Sequence, residues 1–354
     1  MKEYFVIGLM SGTSLDGLDI AYCSFNYSTK WCYKIHAFKT VNYSADFRDK
    51  LRESSSLSPR LLSSLSNEFG SFMASEVAVF IKEKSILNID LVASHGHTVF
   101  HQPDKGITLQ IGSPKPLYNS LFKPVAFDFR TQDVELGGQG APLVPFVDKT
   151  LFEEFHACLN LGGFSNISFD LEGRRVAFDI CPVNIILNLW ANKVELDYDN
   201  EGRLARSGTI NHQLLNQLNE LSYYKKSCPK SLGWEWVKQF VLPLITNSNV
   251  SIIDVLRTFT EHAAQQMVFV FSHYKIHSVL VTGGGVYNDF LLERIRSLSS
   301  SVSLKIKPNI IDSKEAMAFA FLGLMKLLDQ TNVLCSVTGS VKDHCSGKLY
   351  TKEL

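Results

Sequence analysis

Apolar positions along the chain change period several times, and each change marks a new element. Residues 4–10, 18–25 and 31–40 are dense in β-branched, aromatic and aliphatic side chains. Gly/Ser/Asp and Asn/Ser/Thr clusters separate them, which predicts three consecutive antiparallel strands. Beyond Pro59 the apolar positions 61, 62, 65, 69, 72, 73, 77 and 80 keep helical spacing, with Ser58 where an N-cap belongs, so a long amphipathic helix follows the strands. Residues 91–94, 107–111 and 125–128 then read as short strands with polar ends, making the first half mixed α/β.

A second series starts near Ala157. An apolar stretch through Asn160 and Leu161 runs into Gly162 and Gly163, leaves again at 167–169 and is followed by a third stretch at 176–179. The same plan, strand into a small-residue hairpin and out again, opens each half, a weak internal repeat. Helices are expected from about Asn184, Asn211 and Ser251. An apolar strand at 278–282 ends at Gly283, Gly284 and Gly285, and a last helix, 314–328, is expected to pack back on the first half. At 354 residues the chain is long for a single core. Two domains are expected, 1–150 with about 312–354 and 151–311, with a cleft between them.

Charge narrows the partners. Lys plus Arg and Asp plus Glu both total 35, without a long run of one sign, so a small ligand is expected rather than nucleic acid or a membrane surface. The apolar run at 4–10 enters Ser11, Gly12 and Thr13 without a cleavage-site pattern, and no stretch reaches the roughly 18 apolar residues of a membrane span. Seven scattered cysteines, at 23, 32, 158, 181, 228, 335 and 345, include no Cys-x-x-Cys pair, which fits reduced thiols in the cytoplasm.

The chemistry is expected in the turns. Ser11, Gly12, Thr13 and Ser14 form a small-residue turn whose backbone N–H groups suit phosphate oxygens, although the Asp16-Gly17 pair alone fits an ordinary β-hairpin. Gly162 and Gly163, with Ser165 and Asn166 beyond, supply a second such turn. Two phosphate turns opposed across a cleft are what a duplicated nucleotide-binding fold requires. Gly283 to Gly285 offers close backbone approach to a flat nucleoside. It half-matches a dinucleotide fingerprint but ends in Asn288 where glycine is required. No Gly-x-x-x-x-Gly-Lys-Ser/Thr occurs, which excludes a P-loop.

Asp179 is expected at the end of an apolar strand, a place suited to a general base; a turn aspartate is the plainer alternative. Glu315 follows Asp312 at capping-box spacing. Arg130 precedes Asp133 and the loop Gly137, Gly138, Gln139, Gly140, a composition common in ligand-holding loops, and its guanidinium either forks onto a carboxylate or joins a surface ion pair. His95, His97 and His101 resemble a metal-binding cluster, but further ligands at later strand ends are lacking. Hydrogen bonding in a polar segment, with Thr98 adding a hydroxyl, is the more ordinary role.

Several segments together resemble the anhydro-N-acetylmuramic acid kinase family over nearly the whole chain. They are residues 8–19, 94–96, 108–112, 128–130, 137–145, 160–163, 229–231, 283–285 and 336–339. The resemblance implies a two-domain actin-like ATPase fold, a duplicated RNase H-like unit with an inter-domain cleft. It also implies ATP, Mg²⁺ and a homodimer, and the conversion of 1,6-anhydro-N-acetylmuramic acid, ATP and water to the 6-phosphate and ADP in cell-wall recycling. By position it makes Asp179 the base that activates water and places Arg130 and Glu315 in the sugar site, where His95, Thr98, Gly138 and Gln139 join them as candidates. The ATP hairpin is Gly12, Thr13, Ser14, Leu15, Asp16, Gly17, Leu18 and Asp19, with Asn160, Gly162, Gly163, Gly283, Gly284, Gly285 and Asn288 as further nucleotide-site candidates. No protein residue is assigned as a metal ligand.

Two segments depart from the family pattern. Its usual Asp-Thr-Gly-Pro-Gly-Asn reads Asp179, Ile180, Cys181, Pro182, Val183, Asn184 here, and His97 stands where Gln is usual. Cys181 is expected to be buried and inert. A kinase of another sugar or anhydrosugar and a non-catalytic nucleotide-dependent binding module are the competing readings. Retention of Asp179, Arg130 and Glu315 together speaks for catalysis.

Overall fold

The computed structural model describes residues 2–351. They form two compact units, Met1–Leu151 with Ser313–Leu354, and Phe152–Asp312. Among the described residues no helix is long and apolar enough to cross a membrane.

The first unit is built on a mixed seven-stranded sheet. Its strands are β1 (Glu3–Ser11), β2 (Leu18–Tyr27), β3 (Trp31–Val41), β4 (Leu91–Gln102), β5 (Ile107–Ile111), β6 (Val125–Phe127) and a last strand, Lys348–Tyr350. The last strand, β6, β4, β1, β2 and β3 lie side by side in that order, and β5 adds to β4. β1, β2 and β3 are antiparallel, as their hairpin signals predict, whereas β4 is parallel to both β1 and β6. The helix Pro59–Glu83 begins where Ser58 Oγ accepts the Leu61 N–H, and it buries Leu62, Leu65, Phe69, Met73, Val77 and Phe80. Those side chains join Ile7, Leu9, Leu18, Ile20 and Val92 in one apolar core.

The helix Lys314–Leu327 is apolar almost all round and buried along its length, as a helix enclosed by protein must be. It packs back on this sheet through small residues. A Cβ on Gly8 would lie 2.0 Å from the Ala316 carbonyl oxygen, and one on Gly323 would lie 2.4 Å from Ala93 Cβ.

Three local expectations are revised. A short helix, Ala45–Arg52, capped by Ser44, stands where only a connection is expected. β4 continues to Gln102 because Gly96, at φ 75°, carries the strand through an irregularity onto β5, pairing His97 with Ile111. In the β1–β2 connection the left-handed residue is Leu15, at φ 61°, and not Gly17. Leu15 N–H donates to the Gly12 carbonyl (3.2 Å), so the Asp16-Gly17 pair forms no two-residue turn. Gly17 is required for space, since its Cβ would meet the Val41 carbonyl oxygen at 2.5 Å.

The second unit holds a five-stranded sheet in the order β11, β10, β7, β8, β9. The strands are β7 (Ala157–Leu161), β8 (Phe164–Leu171), β9 (Arg174–Pro182), β10 (Ser278–Thr282) and β11 (Ser303–Ile306). β7 to β9 are an antiparallel meander and β10 is parallel to β7 and β11, so each unit opens with a meander whose first strand gains a parallel neighbour. The buried helix Ile252–His273, capped by Ser251, packs with the helices Asn184–Ala191 and His212–Asn219 into its core. Asp179 is not at a strand end. β9 continues past it to Pro182, with Cys181 and Pro182 paired to Ser165 and Phe164 beyond a bulge at Ile180, which faces Ser165/Asn166. The polar residue and the proline mimic a strand end in sequence, and the bulge keeps the pairing going.

Candidate functional site

In the first unit the parallel strands β1, β4 and β6 bring their carboxyl ends to one edge, where open α/β sheets bind ligands. His95, in β4 just before the irregularity at Gly96, is buried and packs at a tilt against Phe319, 4.5 Å between ring centroids. Arg130 Nε–H donates to His95 Nε2 (2.9 Å), and Arg130 Nη1 donates to the Gly140 carbonyl (2.6 Å). With Nε2 accepting, the proton must sit on Nδ1, which lies 3.0 Å from the Gly96 carbonyl. Both ring nitrogens are thereby committed. Burial and the guanidinium hold the imidazole well below the usual histidine range, so it is neutral. Burial brings Arg130 down to about 10, with Glu315 and Asp133 pulling the other way.

Arg130 therefore forks onto an imidazole and a carbonyl rather than a carboxylate, and its carboxylate neighbours act through space. Glu315 stands on the first turn of the helix Lys314–Leu327 with its side chain open to solvent. Solvent reaches that side chain, yet the protein crowded around the carboxyl strips part of its hydration and raises it, opposed by Lys314 and Arg130. The capping box is not formed. Ser313 occupies the cap position and its side chain makes no capping bond to the helix, and Asp312 accepts from the Tyr287 hydroxyl (2.7 Å) instead.

Asp133, fully buried, organises the neighbouring loop. Its Oδ2 accepts the Gly140 N–H (2.7 Å) and its Oδ1 the Thr338 hydroxyl (2.7 Å). A Cβ on Gly138 would lie 2.3 Å from Oδ2, which explains that glycine, while Gln139 N–H donates to the Thr338 carbonyl (2.8 Å) and its side chain faces solvent. Asp133 and Thr338 hold this loop together and were not among the site candidates read from the sequence; the presence of 336–339 among the family-like segments was the available signal. Thr98 lies further along β4, its Oγ1 3.5 Å from Gln110 Nε2.

Ser11, the last residue of β1, links the β1–β2 connection to β4. Tyr43 O–H donates to Ser11 Oγ (2.8 Å), which lies 3.1 Å from His97 Nδ1. All three side chains are buried, and burial lowers His97 to about 4. Beyond it Thr13, Ser14 and Asp16 are exposed and Gly12 and Asp19 half-exposed, with Leu15 and Leu18 packed beneath. Asp19 Oδ1 accepts from Thr40 (2.5 Å). His95 and His97 have separate partners, the Arg130 Nε–H and Ser11 Oγ, and His101 Nδ1 lies 3.2 Å from Thr108 Oγ1. No group of three or more His, Cys, Asp or Glu able to hold a metal occurs among the described residues.

In the second unit the glycine-rich segments converge at the ends of the parallel pair β7 and β10, where Thr282 is in register with Asn160. A Cβ on Gly283, at φ 85°, would meet Asn160 Oδ1 at 2.5 Å, and one on Gly285 would meet Leu161 Cβ at 2.7 Å. Gly163 O accepts the Val183 N–H (2.8 Å) and Gly162 O the Asn184 N–H (3.3 Å). Gly284 is exposed and crowded by nothing. Asn288 caps the helix Asp289–Leu298, its Oδ1 accepting from Leu291 N–H. The same Oδ1 would lie 2.3 Å from a Cβ on Gly202, which was not among the candidates read from the sequence. Asn160, Gly162, Gly163, Gly283 and Gly285 thus share one strand-end surface.

Asp179, half-buried on β9, is gripped by a different segment. Leu232 N–H donates to its Oδ2 (2.8 Å), Tyr223 O–H donates to its carbonyl (2.7 Å), and its own N–H donates to the Lys230 carbonyl (3.2 Å). Burial raises its carboxyl, partly offset by the Leu232 amide. A partly dehydrated carboxylate with a raised proton affinity is what a general base requires. Cys181 beside it is fully buried and its thiol is pushed up to about 12, burial being the main cause.

Comparison with known proteins gives a consistent result. Residues 4–352 match the family model described as anhydro-N-acetylmuramic acid kinase. The chain is 32% identical over 371 residues to the anhydro-N-acetylmuramic acid kinase of Shewanella woodyi, covering 99% of either chain. It is 31% identical over 376 residues to that of Bacillus cereus strain Q1, covering 98% of either. Among solved structures it is similar to component A of the Acidaminococcus fermentans (R)-2-hydroxyglutaryl-CoA dehydratase, at TM-score 0.45, 12% identity and coverage of 90% of this chain and 96% of that one. The chain belongs to the anhydro-N-acetylmuramic acid kinase family.

Proposed function

We propose that the protein is an ATP-dependent kinase that opens 1,6-anhydro-N-acetylmuramic acid with water and phosphorylates the released O6, giving N-acetylmuramic acid 6-phosphate and ADP. The observation that carries this reading is Asp179, a carboxylate of raised proton affinity anchored through Oδ2 alone, in a chain of this family. Asp179 takes a proton from water as the oxygen attacks the anomeric carbon. The C1–O6 bond breaks, O6 attacks the γ-phosphorus, ADP departs, and Asp179 returns its proton to solvent. Inverting glycosidases need a second carboxylic acid for the leaving oxygen; here the phosphoryl group captures it.

His95, Thr98, Arg130, Gly138, Gln139 and Glu315 hold the sugar in this reading. Gly12 to Asp19, with Asn160, Gly162, Gly163, Gly283 to Gly285 and Asn288, receive the nucleotide. Mg²⁺ arrives with the phosphates, retains several waters and asks one or two carboxylates of a protein. Asp16 and Asp19 in the hairpin fit that modest demand and would hold it, where it would neutralise phosphate charge. The protein acts on small molecules in the cytoplasm, as a homodimer, in peptidoglycan recycling.

A kinase of another anhydrosugar is the second reading, motivated by the residues after Asp179. The side chains of Ile180, Cys181 and Val183 are all buried in the core, at 1%, 0% and 0% exposure. They therefore do not line the surface around the carboxylate, which favours the first reading. ADP formation with anhydro-N-acetylmuramic acid, levoglucosan, N-acetylglucosamine and glucose in parallel separates the two. Turnover is expected with the first sugar, and activity confined to glucose would remove bridge opening altogether. Asp179→Asn is expected to lose about 10² to 10⁴ in rate with ATP still bound. In ¹⁸O-water the label is expected on the anomeric carbon.

A further inference from the structure

The hydrogen bonds that reach Asp179 from outside its sheet come from one stretch, Tyr223 to Leu232, that the mechanism above does not use. Tyr223 fixes the Asp179 carbonyl, Lys230 takes its N–H, and the Leu232 amide takes Oδ2. Among the described residues no protein hydrogen bond reaches Oδ1. The stretch is itself braced. The Lys230 ammonium lies 4.8 Å from the centre of the Tyr223 ring and 5.6 Å from that of Phe178, the residue before Asp179. It also donates to the Tyr223 carbonyl (3.4 Å), so one cation ties both ends of the stretch to β9. Tyr223 is buried and rests against Trp236 and Tyr224.

We propose that Tyr223 and Lys230 are positioning residues that commit one oxygen of Asp179 to the Leu232 amide and present the other as the proton acceptor. The inference rests on the reading of Asp179 as the base. A β-strand carboxylate has free χ1 and χ2 rotors, and fixing its carbonyl, its N–H and one oxygen leaves Oδ1 in a single direction, as catalysis by a placed group requires. The Leu232 amide also stabilises the charged form, so its loss raises proton affinity. A base must be deprotonated to act, and a raised affinity moves the acid limb of the rate profile to higher pH.

The test is the pH profile of kcat for Tyr223→Phe and Lys230→Met in the full-length protein, with anhydro-N-acetylmuramic acid and ATP, beside Asp179→Asn. Both positioning variants are expected to lower kcat at neutral pH by about threefold to tenfold, the range of one hydrogen bond. Their acid limbs are expected to move upward, with KM for ATP within about twofold of wild type. A lower kcat with an unmoved limb and a lowered melting temperature would mean a structural role and overturn the proposal, as would wild-type profiles. If Tyr223→Phe fails to fold, Lys230→Met, which keeps every hydrogen bond to Asp179 but loosens the stretch, decides alone. Should Asp179→Asn turn over at the wild-type rate, the base reading falls and the proposal with it. An inactive Asp179→Asn beside unmoved limbs rejects the positioning role only.

Discussion

Arg130 shows how a single side chain is specified by what surrounds it. Its two recorded partners, an imidazole nitrogen and a carbonyl, are acceptors set apart in direction, and only a planar fork serves both. Arg130→Lys is therefore not conservative. Both Arg130→Lys and Arg130→Met are expected to raise KM for the sugar by about tenfold or more, because a buried acceptor is left unpaired, while ATP affinity, measured by direct titration, stays near wild type. Cys181 illustrates the opposite case, a reactive residue type made inert by its surroundings. With no exposed surface and its thiol at about 12, it is expected to escape iodoacetamide in the native protein at neutral pH, whereas the exposed Cys32 is labelled; peptide mapping by mass spectrometry reads the difference.

Among the elements, those with local signals were legible. The β1–β3 meander, the helix after Pro59 and the helix start at Ser251 follow from turn residues, caps and periodicity, all of which act within a few residues. Asp133 was not legible as a hub because its partner Thr338 is 205 positions away. Tyr223 and Leu232 were hidden for the same reason, being 44 and 53 positions from Asp179. Sequence placed Asp179 at a strand end because the bulge next to it, with Ile180 as the extra residue of β9 opposite Ser165 and Asn166, has no local sequence signal. Asp133→Ala leaves the Gly140 N–H and the Thr338 hydroxyl without their acceptor. It is expected to cost about 3 kcal/mol in urea unfolding, the range for removing one partner of a buried charge-assisted network. Loss of ordering in the loop 137–140 should accompany it as faster amide exchange at Gly140.

At the scale of the whole molecule, acid is the predicted weakness. His95, His97 and His262 are buried and held below the ordinary value of 6.5, His97 at about 4 and His262 at about 3, burial being the first cause in each. His262 is enclosed by Asn219 (2.7 Å from Nδ1) and Tyr224 (2.9 Å from Nε2). Unfolding releases each ring to take a proton below 6.5 that the folded state refuses. The unfolded state then binds more protons, so stability is whole above 6.5 and falls as the pH drops below it, by up to about 1.4 kcal/mol per pH unit for each histidine. Melting temperatures between pH 7.5 and 5 are expected to decline accordingly, and His262→Gln, neutral throughout, should flatten the decline.

The discontinuity of the first unit has a consequence for biosynthesis. β1 leaves the ribosome long before the helix that covers Gly8, Lys314–Leu327, and the strand that closes the sheet beside β6, Lys348–Tyr350. The second unit is complete in the chain before either is made. While the second unit is being made, the nascent first unit therefore carries an uncovered apolar sheet face and an unpaired strand edge, the features chaperones bind and aggregation exploits, and of the two units the one begun first is completed second.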